Sequence, residues 1–334
     1  MMDTDKILGC LIGGMVGDAA GAVLEFKLHV SVKNVERAMA MPGGGPHRVA
    51  SGQVTDDSEL DLALLHALAL DIESTNSKKI IEAIAKRYIA WHESDPFDCG
   101  QTTRRAFGFA KDAKDCVSNA LKYNMHSQAN GALMRIAPLA IWAHAKNVPD
   151  DLLLELASAD AQLSHPNPNC IDANKAFVIA IVHLLRNPGD SEGAIAAARN
   201  IGQDVPTWIS DAVNKGDSDE IKTNCLFHVG HVKHAIVLAF HFLKRQIDYK
   251  TALETTLLQG GDTDTNAKIV SNLMGAFHGI KIMNHNPVIK KAIGCVMDFD
   301  CVAYNAKNYK IGINRPNVCC PSNVYRLVDV LKGV

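Results

Sequence analysis

Apolar residues recur along most of this chain at intervals of three and four, the period of a helix with one face in a core. Strand-like alternation between turn signals is scarce. The pattern predicts helices over 5–21, 58–72, 77–92, 102–113, 132–146, 150–163, 171–185, 191–201, 231–244, 249–258, 265–281 and 323–331. Loops rich in Gly, Pro, Asn and Asp join them, so the expected fold class is all-α. The connections at 42–46, 166–169 and 188–190 are short turns, and no long Ser/Gly or charged tract separates two halves. Residues 1–334 are therefore expected to form a single domain. The helical period fails over 299–322, where Tyr304, Asn305, Asn308, Tyr309, Asn314, Pro316 and Asn317 predict an irregular tail from about residue 299.

Composition narrows the class. Of 334 residues, 47% are hydrophobic and 21% charged, enough to bury a large core. The formal net charge of -2 comes from interspersed charges without a basic block, which argues against nucleic acid as a partner. The nine cysteines are odd in number and fall mostly inside apolar helical stretches, so a reducing, cytoplasmic setting is expected. The adjacent Cys319 and Cys320 are expected to have a surface or packing role. The apolar run 7–24 is broken by Asp18 and five glycines and falls short of the roughly 20 residues of a membrane span. It predicts a buried helix, with no membrane partner.

Two acidic clusters stand out. Thr55, Asp56 and Asp57 precede one predicted helix, and Asp262, Asp264 and Thr265, after Gly260-Gly261, open another. Either cluster alone would serve as a helix cap. Two adjacent aspartates with Thr55 and Glu59 exceed what a cap needs, and uncompensated carboxylates repel unless a cation joins them. Asp262-x-Asp264-x-Asn266 begins like a calcium loop, but Ala267 and Leu273 stand where the turn glycine and the bidentate glutamate are required. Two oxygen-only half-sites suit Mg²⁺ or Mn²⁺ better than Zn²⁺, and suggest two ions. Cys225, His228, His231 and His234 have a spacing that looks like zinc but would crowd ligands on one helix, so they are expected to be core and surface residues.

The ordered segments 14-GMVGDAAGAVLEF-26, 52-GQVTDDSEL-60, 130-NGALMR-135, 164-SHP-166 and 260-GGDTDTNA-267 resemble the ADP-ribosylglycohydrolase superfamily up to about Gly279. The resemblance implies a compact orthogonal helical bundle with two Mg²⁺ or Mn²⁺ ions, which binds ADP-ribose and cleaves it from a protein side chain. It implies that Thr55, Asp56, Asp57, Asp262, Asp264 and Thr265 ligate the metals and that Glu25 takes part in catalysis. It further implies that Asn130, Gly131, Ala132 and Met134 cradle the diphosphate and distal ribose, that His165 contacts the ADP portion, and that Gly230 and His231 line the pocket.

Segment 96-PFDCGQTTRR-105 resembles the branch that frees arginine, the dinitrogenase-reductase-activating type, whose general-base aspartate falls on Asp98. Gln101 stands where that branch has Asn, keeping an amide one methylene longer. The expected partners are an ADP-ribosylated protein and the product ADP-ribose, and the expected state is a monomer. The alternatives are cleavage of ADP-ribosylserine, poly-ADP-ribose or O-acetyl-ADP-ribose, and a non-catalytic, crystallin-like binding protein.

Overall fold

Four glycines of the N-terminal apolar run, Gly9, Gly13, Gly17 and Gly21, are four apart and so share one stripe of a helix. The computed structural model describes residues 3–72, 75–214, 221, 223–302 and 312–333. In it the stripe lies against a second helix, Thr263–His278, at backbone contact distance. A methyl group at Gly9 would stand 2.4 Å from the Gly275 carbonyl oxygen, and one at Gly17 2.5 Å from that of Ala267. Small residues here let two helices approach more closely than Leu or Val would allow, and the crossing brings the start of the second helix over the end of the first.

Among the described residues there are seventeen α-helices and no strand beyond isolated bridges. They are α1 (Thr4–Gly21), α2 (Val32–Met39), α3 (Asp56–His66), α4 (Ser77–Glu93), α5 (Gln101–Phe107) and α6 (Ala113–Tyr123). There follow α7 (Ala137–Ala145), α8 (Asp150–Gln162), α9 (Pro168–Arg186), α10 (Ser191–Ala198), α11 (Asp204–Val213) and α12 (Val232–Arg245). The last are α13 (Tyr249–Leu258), α14 (Thr263–His278), α15 (Ile280–Met283), α16 (Pro287–Met297) and α17 (Asn323–Lys332). Helix α14 also packs on α12 and α13, and α9 on α7, α8 and α10, around one contiguous apolar core. Every residue of α3 is buried, as is α14 from Thr263 to Ala276, so both are interior helices, not one-sided surface ones. Among the described residues no helix is long and apolar enough to cross a membrane.

Several boundaries differ from the sequence expectation. The helix expected over 58–72 begins at Asp56 and ends in a π-turn, Ala67–Asp71. The helix expected over 102–113 stops before Gly108, and a separate α6 follows. The helix expected over 132–146 is instead a 3₁₀ turn, Leu133–Arg135, and then α7, because Pro138 sits in the first turn of α7 and has no N–H for a continuous ladder. Segment 130–135 thus presents a turn, not a helix N-terminus. The pattern also misses α2, α6, α11 and α16. Residues Tyr304, Asn305, Asn308 and Tyr309 of the expected tail lie outside the described residues, whereas 312–316 is non-helical as expected.

Candidate active site

The N-terminus of α3 is capped from another helix. Asp18, buried in α1, accepts hydrogen bonds from the Thr55 amide (3.1 Å), the Thr55 hydroxyl (3.0 Å) and the Ser58 amide (3.0 Å). Thr55, in the N-cap position, makes no side-chain cap. Two of the orphan amides at the helix start, those of Thr55 and Ser58, are thereby satisfied without the carboxylates of Asp56 or Asp57, which remain available. The second cluster behaves alike: Asp262, at the N-cap of α14, makes no cap bond and instead accepts from Asn130 Nδ2 at 2.8 Å. A pair of surplus caps therefore does not account for these aspartates.

The two clusters meet in one cleft of about 350 Å³. Glu25, Asp56, Asp57, Asp98, Gln101, Asn130, Gly131, Met134, His165, Gly230, Asp262, Asp264 and Thr265 all line it. Thr55 and Ala132, also expected at the site, are fully buried and are not part of the lining. The Thr55 hydroxyl is spent on Asp18 and also lies 3.3 Å from Asp57 Oδ2, which the Thr265 hydroxyl approaches equally from α14. Asp57 Oδ1 is buried with no hydrogen-bond partner. Asp56 Oδ2 accepts from the Gly100 amide at 3.2 Å, tying the loop that carries Asp98 to α3.

So many buried carboxylates disfavour one another's charge. Burial, then the neighbouring Asp98 and Asp57, pushes Asp56 well above the usual carboxylate range. Burial, then Asp18 and Asp262, does the same to Asp57, and burial with Glu25 and Asp57 does so to Asp264. Asp98 is pushed up to about 7, chiefly by burial, against the pull of His47. Lys268, wholly buried 3.5 Å from Asp61 and 3.3 Å from the Ser58 hydroxyl, offsets part of this from behind. An oxygen-only donor set, mutual repulsion and an orphaned Asp57 oxygen together fit a hard divalent cation. Glu25, Asp262 and Asp264 each offer an oxygen within 4.8 Å of the others.

The remaining wall is shaped by close backbone approach. Residues 128–130 pair with 230–232 through Asn130 N to Gly230 O (3.0 Å) and Val232 N to Gln128 O (2.9 Å). Gly230 has φ +80°, and a methyl there would come within 3.2 Å of Asp262 Oδ2. A methyl on Gly131 would meet the His165 ring at 3.0 Å. His165 is buried, shares a hydrogen bond with the Ser164 hydroxyl, and is pushed down to about 3 by burial, so it acts as a neutral ring. Two of the histidines near Cys225 are held by local hydrogen bonds: His234 bonds to the Thr223 hydroxyl and the Phe227 carbonyl, and His231 accepts from the Lys233 amide and is not in the lining, while His228 is exposed.

One residue at the centre escaped the sequence reading. His47 Nε2 lies 3.0 Å from Glu25 Oε2 and 3.3 Å from Asp98 Oδ2, joining the two carboxylates expected to be catalytic. The bond to Glu25 is the main cause of its raised pKa. Its signal was a histidine in the loop 42-PGGGPHR-48, whose glycines take left-handed conformations and so bring that loop to the cleft. Phe26, Cys99, Thr102 and Thr103, which lie within the motif segments but had no expected role, also line the cleft, as does Val229, which carries no sequence signature.

Comparison with known proteins identifies the family. An ADP-ribosyl-(dinitrogen reductase) glycohydrolase from Rhodospirillum rubrum is 28% identical over 281 residues, covering 83% of this chain and 86% of that protein. The ADP-ribosylarginine hydrolase Tri1 of Pseudomonas putida is 26% identical over 288 residues, with 84% and 72% covered. A solved ADP-ribosylglycohydrolase-related protein complex superposes with a TM-score of 0.65 at 24% identity, over 87% of this chain and 97% of that one, and has the same fold. The sequence profile described as ADP-ribosylglycohydrolase matches residues 2–285, and the chain belongs to that family of hydrolases.

Proposed function

We propose that this enzyme removes ADP-ribose from modified arginine side chains of a protein, and the observation that carries this reading is the meeting of Asp98, Glu25 and His47 with the two acidic clusters in one cleft. Asp56, Asp57, Asp262 and Asp264, with Thr265, would hold two Mg²⁺ or Mn²⁺ ions, while Thr55, expected as a ligand but buried outside the lining, supports Asp57 from behind. When bound, such ions supply charge stabilisation and polarise oxygen ligands.

The chain's own residues do the rest. The cleft walls formed by Asn130, Gly131, Met134, His165, Gly230 and Gln101 bind ADP-ribose. Asp98, placed by the Gly100 amide and His47, accepts a proton from the attacking water. The water oxygen bonds to the anomeric carbon of the proximal ribose as the carbon–nitrogen bond breaks, and the proton returns to the departing nitrogen, leaving free arginine and ADP-ribose. A base held near neutrality suits both halves of that transfer. Glu25, hydrogen-bonded to His47, keeps the imidazole between the two carboxylates. The similarity to arginine-directed relatives and the 96–105 segment support arginine over serine.

The deciding experiment offers arginine-ADP-ribosylated and serine-ADP-ribosylated peptides side by side, with Mn²⁺ or Mg²⁺ and with EDTA. Release from arginine that EDTA abolishes is expected. Faster release from serine would replace this reading with the serine-directed one, and binding without release would make the chain a binding protein.

A further inference from the structure

The tail segment after residue 311 braces the rear of the cleft. Ile313 pairs with Gln53, accepting from Nε2 at 2.7 Å and donating to Oε1 at 3.1 Å, and the Gly312 amide donates to the Arg48 carbonyl at 2.6 Å. Both contacts fall on the loop that carries His47. Arg315, only 6% exposed, then reaches two further segments. Its Nε and Nη2 donate to Glu59 at 2.9 to 3.0 Å, in the first turn of α3 beside Asp57. Its Nη1 donates to the carbonyls of Ser94 (2.9 Å) and Asp95 (3.2 Å), and Nη2 also to the Ser94 hydroxyl (2.9 Å). Asp95 stands at φ +54° and starts the loop that ends on Asp98.

One guanidinium therefore spans the helix bearing Asp56 and Asp57 and the loop bearing Asp98. Capping the last carbonyls of α4 would need no buried carboxylate. A buried ion pair adds little net stability compared with apolar residues of similar size, so stability alone is a poor account of Glu59 and Arg315 together. Geometry is the better one. The planar fork holds several acceptors in fixed directions, which the point charge of a lysine does not. The Trp91 indole, donating to Glu59 at 2.7 Å, fixes the carboxylate from its other side.

We propose that Arg315, which lies beyond the 2–285 span of the family profile, is a positioning residue that sets Asp98 against Asp56 and Asp57. None of its side-chain hydrogen-bond partners lines the cleft, and it acts through Glu59 and the 94–98 backbone. The consequence for turnover rests on the hydrolase reading above; the consequence for the two segments does not.

The test uses the full chain with Arg315→Lys, and with the double variant Glu59→Gln, Arg315→Met, which keeps an acceptor for Trp91 and strands no charge should the lysine variant fail to fold. With ADP-ribosylarginine peptide, kcat is expected to fall roughly 10- to 100-fold while KM stays within about threefold, since small misplacements near the chemistry cost rate more than binding. Amide hydrogen exchange at 55–59 and 94–100 is expected to speed up by about tenfold, with α9 and α12 unchanged. Wild-type exchange in those two segments, or a wild-type kcat in an otherwise active enzyme, overturns the proposal. If the wild-type protein releases no ADP-ribose, the hydrolase reading fails by itself, and the exchange comparison still decides the role of Arg315.

Discussion

At the scale of single residues, the cleft separates roles that look alike in the sequence. Asp18, Asp56 and Asp57 are all buried acids near one helix start, yet Asp18 is consumed by three donors while Asp57 keeps an orphaned oxygen. The metal candidates were legible because adjacent like charges are costly and so stand out. His47 was not, because its function depends on a fold-back of its loop onto Glu25 and Asp98, and spacing along the chain does not encode that. Asp98→Asn keeps the shape and loses the proton acceptor, so kcat on ADP-ribosylarginine should fall by about 10²- to 10⁴-fold with little change in KM. A variant retaining full rate would remove Asp98 from the mechanism. His47→Ala should move the ascending limb of the pH–rate profile to higher pH, because the imidazole's charge holds Asp98 down. An unmoved limb would mean that another group titrates.

Among the secondary-structure elements, the long interior helices were readable and the short ones were not. Helix α9 was expected over 171–185 and runs Pro168–Arg186, since a strong period over five turns outweighs noise. Helix α2 has only eight residues, and its capping box uses Asn34 in place of the usual Glu or Gln. The glycines of α1 were legible as breaks in a would-be membrane segment, but their use as a contact stripe for α14 depends on a partner some 250 residues away in sequence. That contact places Asp264 near Glu25, so it links packing to chemistry. Gly17→Ala puts a methyl 2.5 Å from the Ala267 carbonyl oxygen and should cost about 1–3 kcal/mol by overpacking. It should also weaken Mn²⁺ binding, measured by calorimetry, as α14 is pushed off α1. Gly294→Ala in α16, where a methyl meets nothing within 4 Å, is the control and should stabilise by about 0.5–1 kcal/mol. Equal Mn²⁺ affinity in the two variants would disconnect the stripe from the site.

For the molecule as a whole, the acidic cleft makes stability depend on pH and on cations together. Asp56, Asp57, Asp264 and Asp98 all have folded-state pKa values raised above their unfolded ones, chiefly by burial. The folded state therefore binds more protons than the unfolded chain, so their contribution to stability is present at low pH and lost as pH rises through the folded pKa. Buried histidines work the other way. His165, pushed down to about 3, costs stability only as pH falls below its unfolded value, roughly 6.5. Between about pH 7.5 and 8.5 the histidines lowered by burial are largely neutral in both states, so the carboxylates set the slope, and the thiols, raised by burial, add to it in the same direction at the upper end. In EDTA, one or two such groups give about 1–3 kcal/mol across that unit of pH. For a chain of this size the melting midpoint should drop by roughly 1–4 °C. Millimolar Mg²⁺ or Mn²⁺ favours the ionised carboxylates and should flatten or reverse the slope, and Asp57→Asn should shrink it in EDTA. Differential scanning calorimetry in the two buffers reads this directly. A midpoint that rises with pH in EDTA, or a slope indifferent to both cation and Asp57, would show that the carboxylates of this cleft are neither mutually strained nor a cation site.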